Sequence, residues 1–120
     1  MRWIRLERQL TEALGAGTLA VDLVAYELVK RHLGTYAAQV YGGIVAGIQT
    51  VCHRHSVPFA PVLVQDVKKR ATGKGNAPKL AMVGAAMGHW YQIGWQPSED
   101  EADALWIALC GTEMLGAVAS

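Results

Sequence analysis

The segment VKKRATGKGNAPK, residues 67–79, is the part of the sequence that says most about the fold. Its glycines indicate a loop at 72–79, and Pro78 suits the first turn of a helix that we expect to run to about Met87. The segment contains no acidic residue but five cations: Lys68, Lys69, Arg70, Lys74 and Lys79. Glycine lets a backbone approach phosphate closely and lysine neutralises its charge, although a solvated loop would have the same composition. The segment lacks the Walker spacing Gly-x-x-x-x-Gly-Lys-Ser/Thr.

A final helix is predicted from Glu99 to about Leu115. Ser98 and Glu101 have the spacing of a capping box, in which the side chain of each residue bonds the backbone N–H of the other. Trp106, further along this helix, is expected, like Trp90 and Trp95, to serve core and edge packing and not the stacking of bases.

Three acids form a candidate metal site. Asp100 and Asp103 are three positions apart at the start of the final helix, so their side chains share a face. Glu27, at the end of a predicted buried strand, would complete the site if the helix packs beside that strand. Magnesium takes oxygen ligands and needs only one or two carboxylates beside substrate phosphate. Acids in a first helical turn also favour the helix dipole, and a carboxylate at a strand end is often simply solvated.

Periodicity gives the order of the elements before the basic segment. We predict a helix over residues 3–14, a buried strand over 19–28 and a helix from 35 to about 53, with Thr35 as its N-cap. A second strand is predicted over 57–64, at an edge or with an irregular start because it contains prolines. A strand, a helix and a further strand form a βαβ unit, whose strands are parallel.

Length and composition place the chain among folded α/β proteins. A chain of 120 residues suits a single domain, residues 1–120, with one core. The sequence has no apolar run of about 18 residues that would span a membrane and no secretory signal, so we expect a cytoplasmic protein. Cys52 and Cys110 lie in apolar helical stretches without a second cysteine nearby, and we expect both to be reduced and buried.

Taken in order, these segments resemble the RuvC family of Holliday-junction resolvases, particularly the versions of bacteriophages and prophages. The match covers about residues 5–112 and rests on four segments: VAYE at 24–27, YGGIVAG at 41–47, VKKRATGKGNAPK at 67–79 and DEADALWIALC at 100–110. The resemblance implies a ribonuclease H-like α/β fold and metal-dependent cutting of four-way or branched DNA by a homodimer.

The resemblance also implies roles for individual residues. The metal ligands would be Glu27, Asp100 and Asp103, which hold Mg²⁺, or alternatively Mn²⁺. Together with these acids, Lys68 and Lys79 would form the catalytic site, in which metal ions activate a water and lysines offset phosphate charge. The predicted DNA-binding cations are Lys68, Lys69, Arg70, Lys74, Lys79 and Lys30.

The chain departs from the family pattern at its start. The family begins with a strand that carries a first catalytic aspartate in an Asp-x-Gly setting, followed by two more strands, and this sequence resembles the family only from the helix after them. We therefore expect the first three strands to be missing, which leaves a strand edge open for pairing with a second copy. An inactive nucleic-acid-binding or dimeric assembly module of the same fold is the alternative to an active nuclease. A structural protein without affinity for DNA is a third possibility.

Overall fold

The computed structural model describes residues 21–30, 32, 34–90 and 94–119, with side chains to Gly116. Along the chain, these residues form strand β1 (Val24–Leu28), helix α1 (Thr35–Arg54), strand β2 (Phe59–Leu63), and helices α2 (Val64–Thr72), α3 (Lys79–His89) and α4 (Glu99–Ala119). The helix predicted over residues 3–14 lies outside the described residues. The predicted α/β class is confirmed, because β1 and β2 pair as a small parallel sheet accompanied by helices.

The described residues divide into two compact units. The first contains Val29–Phe59 and the described residues up to Val24, and the second contains Ala25–Leu28 and Ala60 onwards. Most of the sheet therefore belongs to the second unit, with α2, α3 and α4. That the whole chain behaves as a single domain stays a prediction.

The two strands are shorter than predicted. β1 begins at Val24 and β2 begins at Phe59, directly after Pro58, whose carbonyl oxygen accepts a hydrogen bond of 3.0 Å from the Val24 N–H. Pro61 lies inside β2 and has no N–H to donate to a ladder. In the described part of the chain the sheet has two strands, so both are edges, where a proline is tolerated.

Helix α1 confirms the predicted helix, but its cap differs from the prediction. Gly34 is the N-cap with a φ of 98°, a left-handed conformation that glycine adopts without steric cost, whereas Thr35 is the first helical residue. Within the same unit, the Tyr41 hydroxyl accepts a hydrogen bond of 3.0 Å from the Val29 N–H. The centre of the Tyr41 ring also lies 4.9 Å from the centre of the His32 ring.

Helix α2 was not predicted from the sequence. It follows β2 without a connecting loop and ends at Thr72, where the C-cap Gly73 has a left-handed φ of 85° that terminates the helix. Its sequence, VQDVKKRAT, is polar, so only Val64, Val67 and Ala71 mark an apolar face at helical spacing. The predicted glycine-rich loop is therefore confined to residues 73–78, and the three consecutive cations at 68–70 lie on a helix.

Helices α3 and α4 follow the predictions with shifted ends. Pro78 is the N-cap of α3 and not a residue of its first turn, and α3 extends to His89, beyond the predicted end near Met87. Helix α4 begins at Glu99 as predicted and continues past Leu115 to Ala119. No helix in the described part of the chain is long and apolar enough to cross a membrane.

The second unit is built around Trp106, which is 1% exposed and confirms the predicted core position. Its indole Nε1–H donates a hydrogen bond of 3.2 Å to the carbonyl oxygen of Met82, so the one polar group of this buried side chain is paired. The buried residues packed together in this core are Val62, Val67, Met82, Ala86, Ala102, Trp106 and Cys110.

Both cysteines are free and buried, as predicted. Burial raises the pKa of the Cys52 thiol because the thiolate would lose its hydration. Burial also raises the pKa of Cys110, and the nearby Glu113 carboxylate raises it further. Protonated thiols of this kind behave as small apolar side chains and not as nucleophiles.

Candidate active site

The first turn of α4 is held by the predicted capping box. The Ser98 N–H donates to Glu101 Oε1 and the Glu101 N–H donates to Ser98 Oγ, both at 3.1 Å. The hydrogen bond from the Ser98 backbone N–H, and after it the Ser98 hydroxyl, lower the pKa of the exposed Glu101 carboxyl. Glu101 therefore acts as a capping residue. The cap also fixes where α4 begins, and with it the position of Asp103 on the helix.

A cavity of about 240 Å³ lies in the second unit, among β1 and the three helices that follow the sheet. Four charged side chains line it: Glu27, Lys68, Lys79 and Asp103. Four apolar side chains complete its wall: Val64, Val67, Met82 and Ile107. The cavity is smaller than the roughly 300–1,000 Å³ of typical small-molecule pockets, which suits a small part of a larger ligand.

Each helix presents its cavity residues on one face. On α2, Lys68 lies one turn after Val64, and on α4, Ile107 lies one turn after Asp103. On α3, Met82 lies one turn after Lys79. Residues three or four positions apart on a helix are neighbours, so each charged group borders an apolar one. Glu27 enters from β1, where it is the next-to-last residue of the strand and not its end.

The structure brings together four of the five predicted catalytic residues. Glu27, Lys68, Lys79 and Asp103 line the cavity, although 76 residues separate Glu27 from Asp103 along the chain. Asp100 lies in the exposed first turn of α4 and does not line the cavity. Among the described residues, no group of three His, Cys, Asp or Glu side chains is arranged to hold a metal ion. The role of each of these residues, including Asp100 as a ligand, stays a prediction.

The remaining predicted DNA-binding cations differ in their surroundings. Lys30, Lys69 and Lys74 are exposed. Arg70 is engaged within the protein, because its Nε donates to the Glu113 carboxylate at 2.9 Å and its guanidinium lies 5.9 Å from the centre of the Trp106 ring. Arg70 is therefore less available to a phosphate than the three lysines are.

The apolar wall of the cavity was not predicted from the sequence. Val64 was assigned to the end of the strand predicted over 57–64 and Val67 to the basic segment, because α2 was not predicted; their spacing of three was the available signal. Met82 and Ile107 were assigned to helices, but nothing in a single sequence states which face of a helix borders a cavity. The pairing of each with a charged residue one turn away is visible only once the helices are placed.

The donor set of the cavity fits a hard divalent cation. Two carboxylates, from Glu27 and Asp103, approach it from β1 and α4. Magnesium is commonly held by one or two carboxylates, with waters and phosphate oxygens completing its shell. Lys68 and Lys79 add two positive charges beside these acids, so that the cavity combines cation ligands with groups that attract a phosphate.

Comparisons with known proteins bear on the fold. No protein-family model matches the chain, and a search of curated proteins finds no significant match. The structure of RuvC from Thermus thermophilus matches with a TM-score of 0.72 and 23% identity, over 96% of this chain and 69% of that one. The structure of T. thermophilus RuvC in complex with a Holliday junction substrate matches with a TM-score of 0.72 and 22% identity, over 96% of this chain and 70% of that one. The predicted likeness to RuvC is thereby confirmed at the level of the fold, which is α/β and ribonuclease H-like.

Proposed function

We propose that this chain is a metal-dependent endonuclease that hydrolyses phosphodiester bonds of branched DNA, with the four-way junction as its substrate. The observation that carries the proposal is the cavity, which combines the carboxylates of Glu27 and Asp103 with the ammonium groups of Lys68 and Lys79. A RuvC structure of the same fold contains a Holliday junction substrate, which supports branched DNA as the ligand.

The proposed division of labour follows from charge. Lys68 and Lys79 bind the non-bridging oxygens of the scissile phosphate and offset the charge that develops there during hydrolysis. Glu27 and Asp103 would hold Mg²⁺ or Mn²⁺. When bound, the metal supplies Lewis-acid stabilisation and an activated water for attack on phosphorus. The buried apolar residues Val67 and Met82 form part of the wall beside these groups.

Other cations would guide the DNA. Lys69 and Lys74 are exposed, and along the chain they lie between the cavity residues Lys68 and Lys79. Lys30 follows β1. Each lysine that contacts a phosphate contributes to affinity in a salt-dependent way. A DNA substrate of this kind fits the cytoplasmic location expected from the sequence.

We also propose a homodimer, since a four-way junction presents paired strands to a two-fold symmetric protein. The candidate interfaces are the β1 edge and helix α1, whose Gly42, Gly43 and Gly47 allow close approach of another helix. Sedimentation equilibrium over the micromolar range tests this proposal. A monomer throughout that range would contradict it.

A DNA-binding module without nuclease activity is the second candidate. It is favoured by one observation, the position of Asp100 outside the cavity, which leaves two carboxylates to hold the metal. Such a module would bind branched DNA through its lysines with an affinity that does not depend on Mg²⁺. The two candidates therefore differ in their response to metal.

A strand-labelled four-way junction, compared with a linear duplex of the same sequence, separates the candidates. The nuclease predicts Mg²⁺-dependent nicking of the junction, little nicking of the duplex, and loss of nicking in Asp103→Asn and Glu27→Gln. The matched control is Asp22→Asn, which removes an exposed acid that does not line the cavity. Binding without metal-dependent cleavage would favour the module, and the absence of salt-dependent DNA binding would contradict both candidates.

A further inference from the structure

Arg70 differs from the lysines around it in having an acidic partner in the protein. Its Nε donates hydrogen bonds to both carboxylate oxygens of Glu113, at 2.9 and 3.3 Å. The two side chains are 42% and 48% exposed, so the pair lies at the surface. Because Arg70 belongs to α2 and Glu113 to α4, this ion pair links the two helices.

The same guanidinium reaches the central tryptophan of the core. Arg70 lies 5.9 Å from the centre of the Trp106 ring, within the range of a cation–π interaction. Trp106 in turn donates its indole N–H to the Met82 carbonyl oxygen on α3. Arg70, Glu113, Trp106 and the Met82 carbonyl, which we call the helix clamp, therefore connect α2, α3 and α4.

Three residues of the helix clamp each lie within one helical turn of a charged cavity residue on the same helix. Arg70 is two positions after Lys68 on α2, so the two side chains leave different faces of that helix. Trp106 lies one turn after Asp103 on α4, and Met82 lies one turn after Lys79 on α3. A rotation of α2 against α4 that breaks the clamp would thus displace Lys68 relative to Asp103.

We propose that Arg70 is a positioning residue that holds Lys68 opposite Asp103 through the helix clamp, and that it does not contact DNA. This inference rests on the proposed function for its effect on catalysis. A planar guanidinium suits the role, because its Nε–H can bond a carboxylate while its plane lies near an aromatic face. Lysine at this position would supply the charge without that geometry.

The first test is an exchange of the two charges. Arg70→Glu and Glu113→Arg each place like charges together and should lower the rate of junction cleavage at saturating DNA by about 10-fold to 100-fold, the scale of a small misplacement of reacting groups. The double variant restores the ion pair and should recover most of that loss. Lys69→Glu combined with Glu113→Arg is the matched control, which should show no recovery. Failure of the exchange to recover the rate would overturn the proposal.

Salt dependence separates positioning from DNA contact. A side chain that binds phosphate contributes about 0.9 to the slope of log affinity against log salt concentration. Arg70→Gln and Glu113→Gln should leave this slope unchanged and slow cleavage to the same extent. A slope reduced by about 0.9 in Arg70→Gln alone would make Arg70 a DNA contact and overturn the proposal.

A measurement on the free protein keeps the inference independent of the proposed function. The ε-methyl group of Met82 reports on the cavity wall, and its NMR signal is assigned by comparison with Met82→Leu. The signal should shift in Arg70→Glu and in Glu113→Arg, return in the double variant and stay in place in Lys69→Glu. If the parent protein neither binds nor cleaves DNA, the proposed function fails. The shifts of the Met82 signal then decide alone whether the helix clamp links the three helices. An unchanged signal in both single variants overturns it.

Discussion

The first and second turns of α4 both carry acidic residues but are held in different ways. In the first turn, Ser98 and Glu101 bond each other's backbone, and these contacts span three residues of the chain. In the second turn, Asp103 lines the cavity and Trp106 bonds the Met82 carbonyl oxygen, 24 residues away. The first turn is a local structure, whereas the second is placed by other helices.

This difference separates two acids that spacing alone treats as equivalent. Asp100 and Asp103 share a helix face, but Asp100 is exposed and Asp103 is half-buried at the cavity. Asp103 shares the cavity with two lysines, so an anionic ligand attracted by the lysines would come close to its carboxylate. We therefore propose that the second turn serves the cavity and that the first turn initiates the helix.

The largest effect is expected where the second turn enters the core. Trp106→Ala should lower the free energy of unfolding by about 3–5 kcal/mol, because it leaves a large cavity in the core and removes the hydrogen bond from the indole to the Met82 carbonyl oxygen. Tyr36→Ala, at a side chain that is 79% exposed, is the control and should change stability by less than about 0.5 kcal/mol. Urea unfolding followed by circular dichroism measures both. A small loss at Trp106 would mean that this turn does not depend on long-range contacts.

The cavity lysines should have the next largest effect, on cleavage. Lys68→Ala and Lys79→Ala each remove a charge that shares the cavity with Asp103, and should slow cleavage at saturating junction by about 100-fold or more. Lys69→Ala and Lys74→Ala, outside the cavity, should weaken binding of the junction but leave the rate at which bound junction is cleaved nearly unchanged. Single-turnover kinetics at varied DNA concentration separates rate from affinity. Equal rate losses at all four positions would remove the distinction between cavity and surface lysines.

Breaking the cap should have a smaller effect, limited to stability. Ser98→Ala removes the hydroxyl that accepts from the Glu101 N–H and should lower the free energy of unfolding by about 1 kcal/mol. The junction cleavage rate of the folded variant should stay near that of the parent. A large loss of cleavage with normal stability would show that the first turn also serves the cavity.

The smallest effect concerns pH. The folded-state pKa of Glu101 lies below its usual value of 4.5, so its stabilising contribution is present above about pH 4.5 and is lost as the pH falls through the folded pKa. Glu101→Gln keeps an acceptor for the Ser98 N–H but does not titrate, so its unfolding temperature should fall less steeply with acid. Glu99→Gln, in the same turn, is the control. Identical acid profiles for Glu101→Gln and the parent would contradict this account.

What the sequence predicts correctly follows the same division between local and long-range structure. The capping box, helix α1 and the start of α4 depend on neighbouring residues and were predicted. Helix α2 was not predicted, because its sequence is mostly polar and its short apolar face becomes informative only when it packs on Val62 and Met82.

The site was predicted through resemblance more than through spacing. Glu27, Lys68, Lys79 and Asp103 were named together on the order of the motifs, and the structure brings them to one cavity. Spacing could not separate Asp103 from Asp100, since both lie on one helix face. It also could not show that Arg70 faces Glu113, because 43 residues separate them along the chain.

Metal binding by the two α4 aspartates tests the central claim most directly. Isothermal titration calorimetry with Mn²⁺ and Mg²⁺ should show binding to the parent protein in the presence of an uncleavable junction, and its loss in Asp103→Asn. Asp100→Asn, one turn earlier, should keep most of the affinity. Loss of metal binding in Asp100→Asn with binding retained in Asp103→Asn, or a parent protein that binds neither ion, would contradict the proposed site.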